Sequence, residues 1–350
     1  MPIPYLEHTV QTPDGWRLTL YRSPPRGPRS LEGGPPPVLL IPGAGANRFT
    51  FGVSAGRSLA AILNARGRDV WLAELRGARS ARPDARSAAV SLCLKLDLDL
   101  PAILAHIREV TGQPRVDLVG HSLGGLLAML TAGGPHAAEV GRVVTLAAPG
   151  TFRGFVGGDA PGPVLRGLAR GVEALGARID QIALAGLARV RGPIPHLVSF
   201  QRHFLPGALD VVDRRLYLDH AVEDMPGGDL AQVARWVREG RLVDRLGKDL
   251  EARFAAVDHP VLAFASPRDK VVPLALVEAG FRRLGSPDKT LVRVGRDAGH
   301  ARDYAHADVL LAPSAVVDVL EPLAAWLDGT ITAERRGRVP LWREGEPQAL

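Results

Sequence analysis

Ser122 stands inside Val119-Gly120-His121-Ser122-Leu123-Gly124, a Gly-x-Ser-x-Gly pattern lying between a short apolar run and a segment rich in Gly, Ala and Leu. A serine hydroxyl is a weak nucleophile until it is exposed, aimed and set beside a base, and a sharp strand-to-helix turn supplies exposure and aim. Gly120 and Gly124 keep side chains out of the crowded turn, and Gly125 lets the following helix pack closely. The pattern is common by chance in a chain with 39 glycines, so its flanks decide its meaning. Arg115 to Val119, bounded upstream by Gly112 and Pro114, reads as a brief buried strand; Leu123 to Ala132, closed by Gly133, Gly134 and Pro135, reads as a helix. The positive end of that helix faces the serine, so the backbone N–H of Leu123 is a natural donor to an oxyanion.

A nucleophilic serine needs a base for its proton and a carboxylate to fix the base's tautomer. In sheets that carry such an elbow the partners follow in the order serine, acid, histidine. Asp269 lies four residues past the apolar run Val261 to Ala265, in a loop with Pro267 and Pro273 on either side. The last long loop then offers two bases, His300 just after Gly299 and His306 within Tyr304 to Leu311, and periodicity does not choose between them. Asp303 and Asp308 share that loop and read as residues that shape it. His121 beside the serine reads as a wall or packing residue, because its side chain should point away from that of Ser122.

The elements that must position these groups alternate in type. Leu6 to Gln11 and Trp16 to Arg22 flank Asp14-Gly15 as an antiparallel hairpin. Val38 to Ile41 is a continuous apolar strand ending at Pro42-Gly43-Ala44-Gly45, a glycine-rich turn where open α/β sheets place their sites. A helix over residues 54–66, a strand over 69–74, a helix over 97–111, the Ser122 strand and a strand over 142–147 continue the rhythm. It then stops. Residues 151–258 show helical spacing at Leu165, Leu168, Val172 and Leu175 and at Leu230, Val233, Ala234 and Val237, with no convincing strand, and read as a helical lid insertion. Strands over 261–265 and 290–294 and helices over 274–284 and 314–327 complete the core. The division is therefore 1–150 and 259–330 for the two parts of the core, 151–258 for the insertion and 331–350 for a polar tail.

Composition narrows the classes. The net charge of +6 comes almost wholly from scattered arginines without interleaved aromatics, which excludes nucleic acid as a partner. Cys93 is the single cysteine, so there is neither an intrachain disulfide nor a cysteine-based zinc site. His196, His203 and His220 have acidic neighbours only loosely spaced, and no metal is expected there. The run Val116 to Leu130 carries Asp117, His121 and several glycines, which excludes stable membrane insertion. The first residues lack a basic and an apolar region, so the expected location is cytoplasmic. Trp16, Trp71, Trp236 and Trp326 read as core or interface anchors. No feature specifies an oligomeric state.

Four segments, Pro37 to Phe51, Asp69 to Gly77, Asp99 to Gly133 and Tyr304 to Leu327, resemble the α/β-hydrolase superfamily, within it the acid lipases and polyhydroxyalkanoate-synthase-like hydrolases. The resemblance implies an α/β-hydrolase fold, a mostly parallel central sheet with helices on both faces. It favours His306 over His300, because the family's histidine opens an H-x-D segment followed by a helix ending in Trp-Leu, here His306-Ala307-Asp308 through Trp326-Leu327. It also implies that the backbone of Ala44 is the second oxyanion donor, although relatives have His-Gly where Pro42-Gly43 stands. Glu74, where relatives show Asp, and Arg76 read as structural. The synthase relatives carry cysteine at the elbow; serine there points to hydrolysis. The expectation is a serine hydrolase of carboxylic esters with Ser122, Asp269 and His306 as its triad, a small ester with an apolar acyl group as substrate, and no metal or organic cofactor. Two other readings use the same frame: an acyltransferase, and a ligand-binding protein without catalysis.

Overall fold

A computed structural model of the chain describes residues 5–25, 34–52, 57–84, 89–154, 163–178, 181–182, 203–330 and 341–342. In chain order its strands are β1 (Leu6–Gln11), β2 (Arg17–Ser23), β3 (Val38–Ile41), β4 (Val70–Glu74), β5 (Val116–His121), β6 (Val140–Leu146), β7 (Gln181–Ile182), β8 (Met225–Pro226), β9 (Val261–Ala265), β10 (Lys289–Arg293) and β11 (Leu341–Trp342). All but β7 and β8 form one sheet, in the spatial order β1-β2-β4-β3-β5-β6-β9-β10-β11. From β4 to β10 every neighbouring pair is parallel, and the antiparallel strands β1, β2 and β11 lie at the two edges.

β3 and β9 are apolar along their whole length because both faces of the sheet are covered. Successive side chains point to opposite faces, so Leu39, Ile41, Trp71 and Leu118 join one core and Val38, Leu40, Leu72 and Val119 the other. The first core is closed by the helices Leu100–Thr111, Leu123–Ala132 and Leu274–Arg283, the second by Leu59–Ala65 and the helical run from Val316 to Leu327. Trp16, Trp71 and Trp236 are buried in the first core and Trp326 packs against the second, as expected of anchors. Two of these helices show a local reason to begin or stop. Ser58 accepts from Ala61 N–H at the start of Leu59–Ala65, and Gly112 ends Leu100–Thr111 in the left-handed conformation at φ 68°. The segment Leu92–Asp99 runs helically into Leu100, so this helical arm begins earlier than the apolar spacing indicated.

Between β6 and β9 the described residues are mainly helical: Pro163–Gly176, Val211 through Ala221, Gly227–Glu239 and Ala252–Ala255. β7 and β8 also lie here, a two-residue antiparallel pairing too short to leave a pattern in sequence. Arg238 of the helix Gly227–Glu239 reaches Glu173 of the helix Pro163–Gly176 at 2.8 Å, tying the two together. His196 lies outside the described residues. β11, drawn from the stretch read as a polar tail, pairs with β10 through Leu291 with Trp342 and Val292 with Leu341.

Candidate active site

Ser122 lies between the end of β5 and the helix Leu123–Ala132 with φ 54° and ψ −125°, outside the conformations side chains favour. Such backbone strain costs on the order of 1–3 kcal/mol and persists only where surrounding contacts over-determine it. Those contacts are present. Ser122 N–H donates to the Leu146 carbonyl at 2.9 Å, and Gly125 N–H donates to the Ser122 carbonyl at 3.0 Å. The chain crosses itself so closely that a Cβ on Gly120 would lie 2.4 Å from the Gly124 carbonyl carbon, and one on Gly124 would lie 2.2 Å from the Ile41 carbonyl oxygen.

That second contact brings the loop after β3 onto the elbow. A Cβ on Gly43 would stand 3.1 Å from Cβ of Ser122, so the Pro42–Gly45 backbone passes directly over the serine. Ala44 and Leu123 consequently line one cleft beside the serine, together with Leu75, Leu92 and Leu127 and with the charged Arg76, Lys95, Glu223 and Asp224; Ser122 and His306 are not among its lining residues. Among the described residues no carbonyl or side chain occupies the N–H of Ala44 or of Leu123.

The acid and base come from the loops after β9 and β10. Asp269 Oδ1 accepts from the N–H groups of Val271 and Val272 at 2.8 and 2.9 Å, which fixes the carboxylate and leaves Oδ2 for His306 Nδ1 at 2.7 Å. Both side chains are buried, at 1 % and 3 % exposure, so water does not compete for that bond. Ser266 Oγ donates to the Tyr304 carbonyl at 2.6 Å and clasps the two loops together. Asp308 Oδ2 accepts from Ala305 and Leu205 N–H, both at 2.9 Å, and thereby shapes the turn that carries His306. Asp303 holds Arg296 N–H at 2.9 Å. The His300 ring turns back onto Gly295, with Nδ1 3.1 Å from its carbonyl, and no described contact joins it to Asp269.

His121, adjacent to the serine, is more than packing. Its Nε2 lies 3.0 Å from the His306 carbonyl, and its ring packs against that of His306 at a 47° tilt with centroids 4.7 Å apart. Because the carbonyl can only accept, Nε2 carries the proton. Burial first, and the neighbouring His306 ring second, hold His121 well below the ordinary imidazole value, so it stays neutral. His203 adds a third ring, edge-on to His306 at 5.6 Å, while its carbonyl accepts from Ala307 N–H at 2.9 Å. No local pattern announces these contacts, because they join residues far apart in the chain. The structure draws no hydrogen bond between the Ser122 hydroxyl and the His306 ring; such bonds are commonly long before substrate binds. No group of three or more metal-ligating side chains occurs among the described residues. No helix among them is long and apolar enough to cross a membrane.

A model of the alpha/beta hydrolase family matches residues 38–319. The chain belongs to this family. Its sequence is similar to human lipase member K, 36 % identical over 137 residues, which cover 36 % of this chain and 34 % of that protein. It is also similar to triacylglycerol lipase 1 of Arabidopsis thaliana, 32 % identical over 151 residues, covering 41 % of this chain and 38 % of the relative. The match thus spans about a third of the length of these curated relatives. Among solved structures, an esterase from Thermogutta terrifontis superposes with a TM-score of 0.60 at 18 % identity, over 93 % of this chain and all 100 % of the other. One from Exiguobacterium antarcticum gives 0.62 at 14 % identity, over 92 % and 100 %. These superpositions show that the α/β-hydrolase fold extends over nearly the whole chain.

Proposed function

We propose that this family member hydrolyses carboxylic esters through an acyl-enzyme on Ser122. The observation that carries the reading is the buried 2.7 Å hydrogen bond between His306 Nδ1 and Asp269, on a ring packed at a tilt against the neighbour of a strained serine. With Nδ1–H donated to a carboxylate, Nε2 keeps its lone pair and is the base that takes the Ser122 proton. The serine oxygen adds to the ester carbonyl, and the N–H groups of Ala44 and Leu123 receive the negative charge on the carbonyl oxygen. His306 returns the proton to the departing alcohol. A water, deprotonated by the same ring, then releases the acid and restores Ser122. Neutral His121 adds no second positive charge beside the imidazolium.

Leu75, Leu92, Leu123 and Leu127 in the cleft beside the serine support an apolar acyl group, and Val222 and Pro226 of the insertion reach that cleft or the loop beside it, which supports the insertion as its cover. The test is turnover of an activated aryl ester by the wild type and by Ser122→Ala, together with stoichiometric fluorophosphonate labelling. Ser122→Ala should lose activity by something like 10⁴-fold or more and should not be labelled. Near-wild-type turnover by this variant would overturn the reading, and products formed on an added alcohol instead of free acid would identify an acyltransferase.

A further inference from the structure

The loop that carries Ala44 is not free-standing: a short segment of the insertion is laced to it. Ala46 and Val222 form an antiparallel bridge, Asn47 N–H donates to the Ala221 carbonyl at 3.1 Å, and Glu223 N–H donates to the Gly45 carbonyl at 2.9 Å. Side chains repeat the connection. Asn47 Nδ2 donates to Glu223 Oε1 and to the His220 carbonyl, both at 2.8 Å, while Asn47 Oδ1 accepts from Phe49 N–H at 3.0 Å. Glu223 Oε2 accepts from Arg79 N–H at 2.9 Å, which fastens the assembly to the loop after β4. Asn47 and Glu223 are 5 % and 6 % exposed, and among the described residues no Lys, Arg or His forms an ion pair with Glu223. A buried carboxylate held by amides alone is costly to maintain and would be an inefficient way to add stability.

We infer that Glu223, through Asn47, is a positioning residue for the oxyanion loop, setting the direction of the Ala44 N–H and coupling it to the placement of the insertion. The inference rests on the reading of Ala44 as an oxyanion donor. Its physical basis is the number of acceptors. Glu223 offers two oxygens to two donors, Asn47 Nδ2 and Arg79 N–H. A glutamine side chain offers one oxygen and opposes an N–H₂ group to the other donor, and Asn47 cannot flip to accept without losing Phe49 N–H.

The experiment compares the full-length wild type with Glu223→Gln, Asn47→Asp and the double variant Asn47→Asp/Glu223→Gln on an activated aryl ester, with a trifluoromethyl ketone as tetrahedral-adduct probe. An oxyanion donor that is removed costs about 10²–10³ in kcat, so one that is misdirected should cost about 10- to 100-fold. Each single variant should show that loss in kcat with KM nearly unchanged, and ketone affinity should weaken by the same factor; Tm should fall in both, more in Asn47→Asp, which sets two buried carboxylates together, and the kinetic loss should persist well below either Tm. The double variant should recover part of the loss, because the carboxylate introduced at position 47 can accept from the amide introduced at position 223. Three results overturn the inference: kcat and ketone affinity within about twofold of wild type in Glu223→Gln, a loss confined to KM or to Tm, or no recovery in the double variant. Ser122→Ala separates the two levels. If the wild type shows Ser122-dependent turnover and Glu223→Gln leaves it intact, only the positioning role falls; without Ser122-dependent turnover, both fall.

Discussion

Replacing Asp269 by Asn changes one atom and should nearly silence the site. Oδ1 of Asp269 accepts two backbone N–H groups, from Val271 and Val272, and an amide nitrogen placed there would meet two donors. The asparagine side chain must therefore keep its oxygen toward Val271 and Val272 and turn its N–H₂ group toward His306 Nδ1, which in the wild type lies 2.7 Å from a carboxylate oxygen. That nitrogen can only accept from an amide, so the ring proton moves to Nε2 and the base loses the lone pair that would face Ser122. Triads with the wrong tautomer lose about 10⁴ in kcat, equivalent to about 5 kcal/mol of barrier. Folding should suffer far less: one charge-assisted hydrogen bond is replaced by a neutral one, about 1–2 kcal/mol. The assay is steady-state hydrolysis of an activated aryl ester beside a urea melt, with ¹⁵N NMR of the His306 ring reporting the tautomer. A variant within tenfold of wild-type kcat, or one that loses activity only by unfolding, would refute the argument from Oδ1.

Three other outcomes follow from contacts around the site. His121→Phe keeps a ring against His306 but leaves its buried carbonyl without the Nε2–H donor, so urea denaturation should show a loss of about 1–3 kcal/mol, and kcat in ester hydrolysis should fall as the turn carrying His306 loses that tie. Gly124→Ala would drive a Cβ into the Ile41 and Pro42 carbonyl oxygens at 2.2 and 2.5 Å, and urea denaturation should show a loss on the order of 3 kcal/mol or more. Burial pushes the Asp308 carboxyl up to about 6, so the folded chain binds its proton more tightly than the unfolded chain does. The unfolded state then holds fewer protons between about pH 4 and pH 6, and this group's contribution to stability falls as pH rises through that window. The urea midpoint at pH 4.5 minus that at pH 7 should thus be more positive in the wild type than in Asp308→Asn.

What was legible in the sequence was whatever depends on period and on residue type at strand ends. Val38 to Ile41 reads as a doubly covered strand because alternate side chains serve different cores, and the glycines around Ser122 read as a tight turn because no side chain fits there. What was not legible depends on distant contacts. Periodicity does not distinguish His300 from His306, and only resemblance through His306-Ala307-Asp308 favours the second; the physical difference lies in a carboxylate 37 residues away and in a ring that folds back onto Gly295. His121 could be read as a wall but not as a donor, since its acceptor is 185 residues further on. β7, β8 and β11 are two residues long, below the length at which alternation exists. The same division explains why Asn47 and Glu223 carry no motif although they sit at the rim of the site. A nucleophile needs one residue type at one backbone conformation, which a short pattern can encode, whereas aiming an N–H group needs a loop held from several sides by partners that only the folded chain supplies.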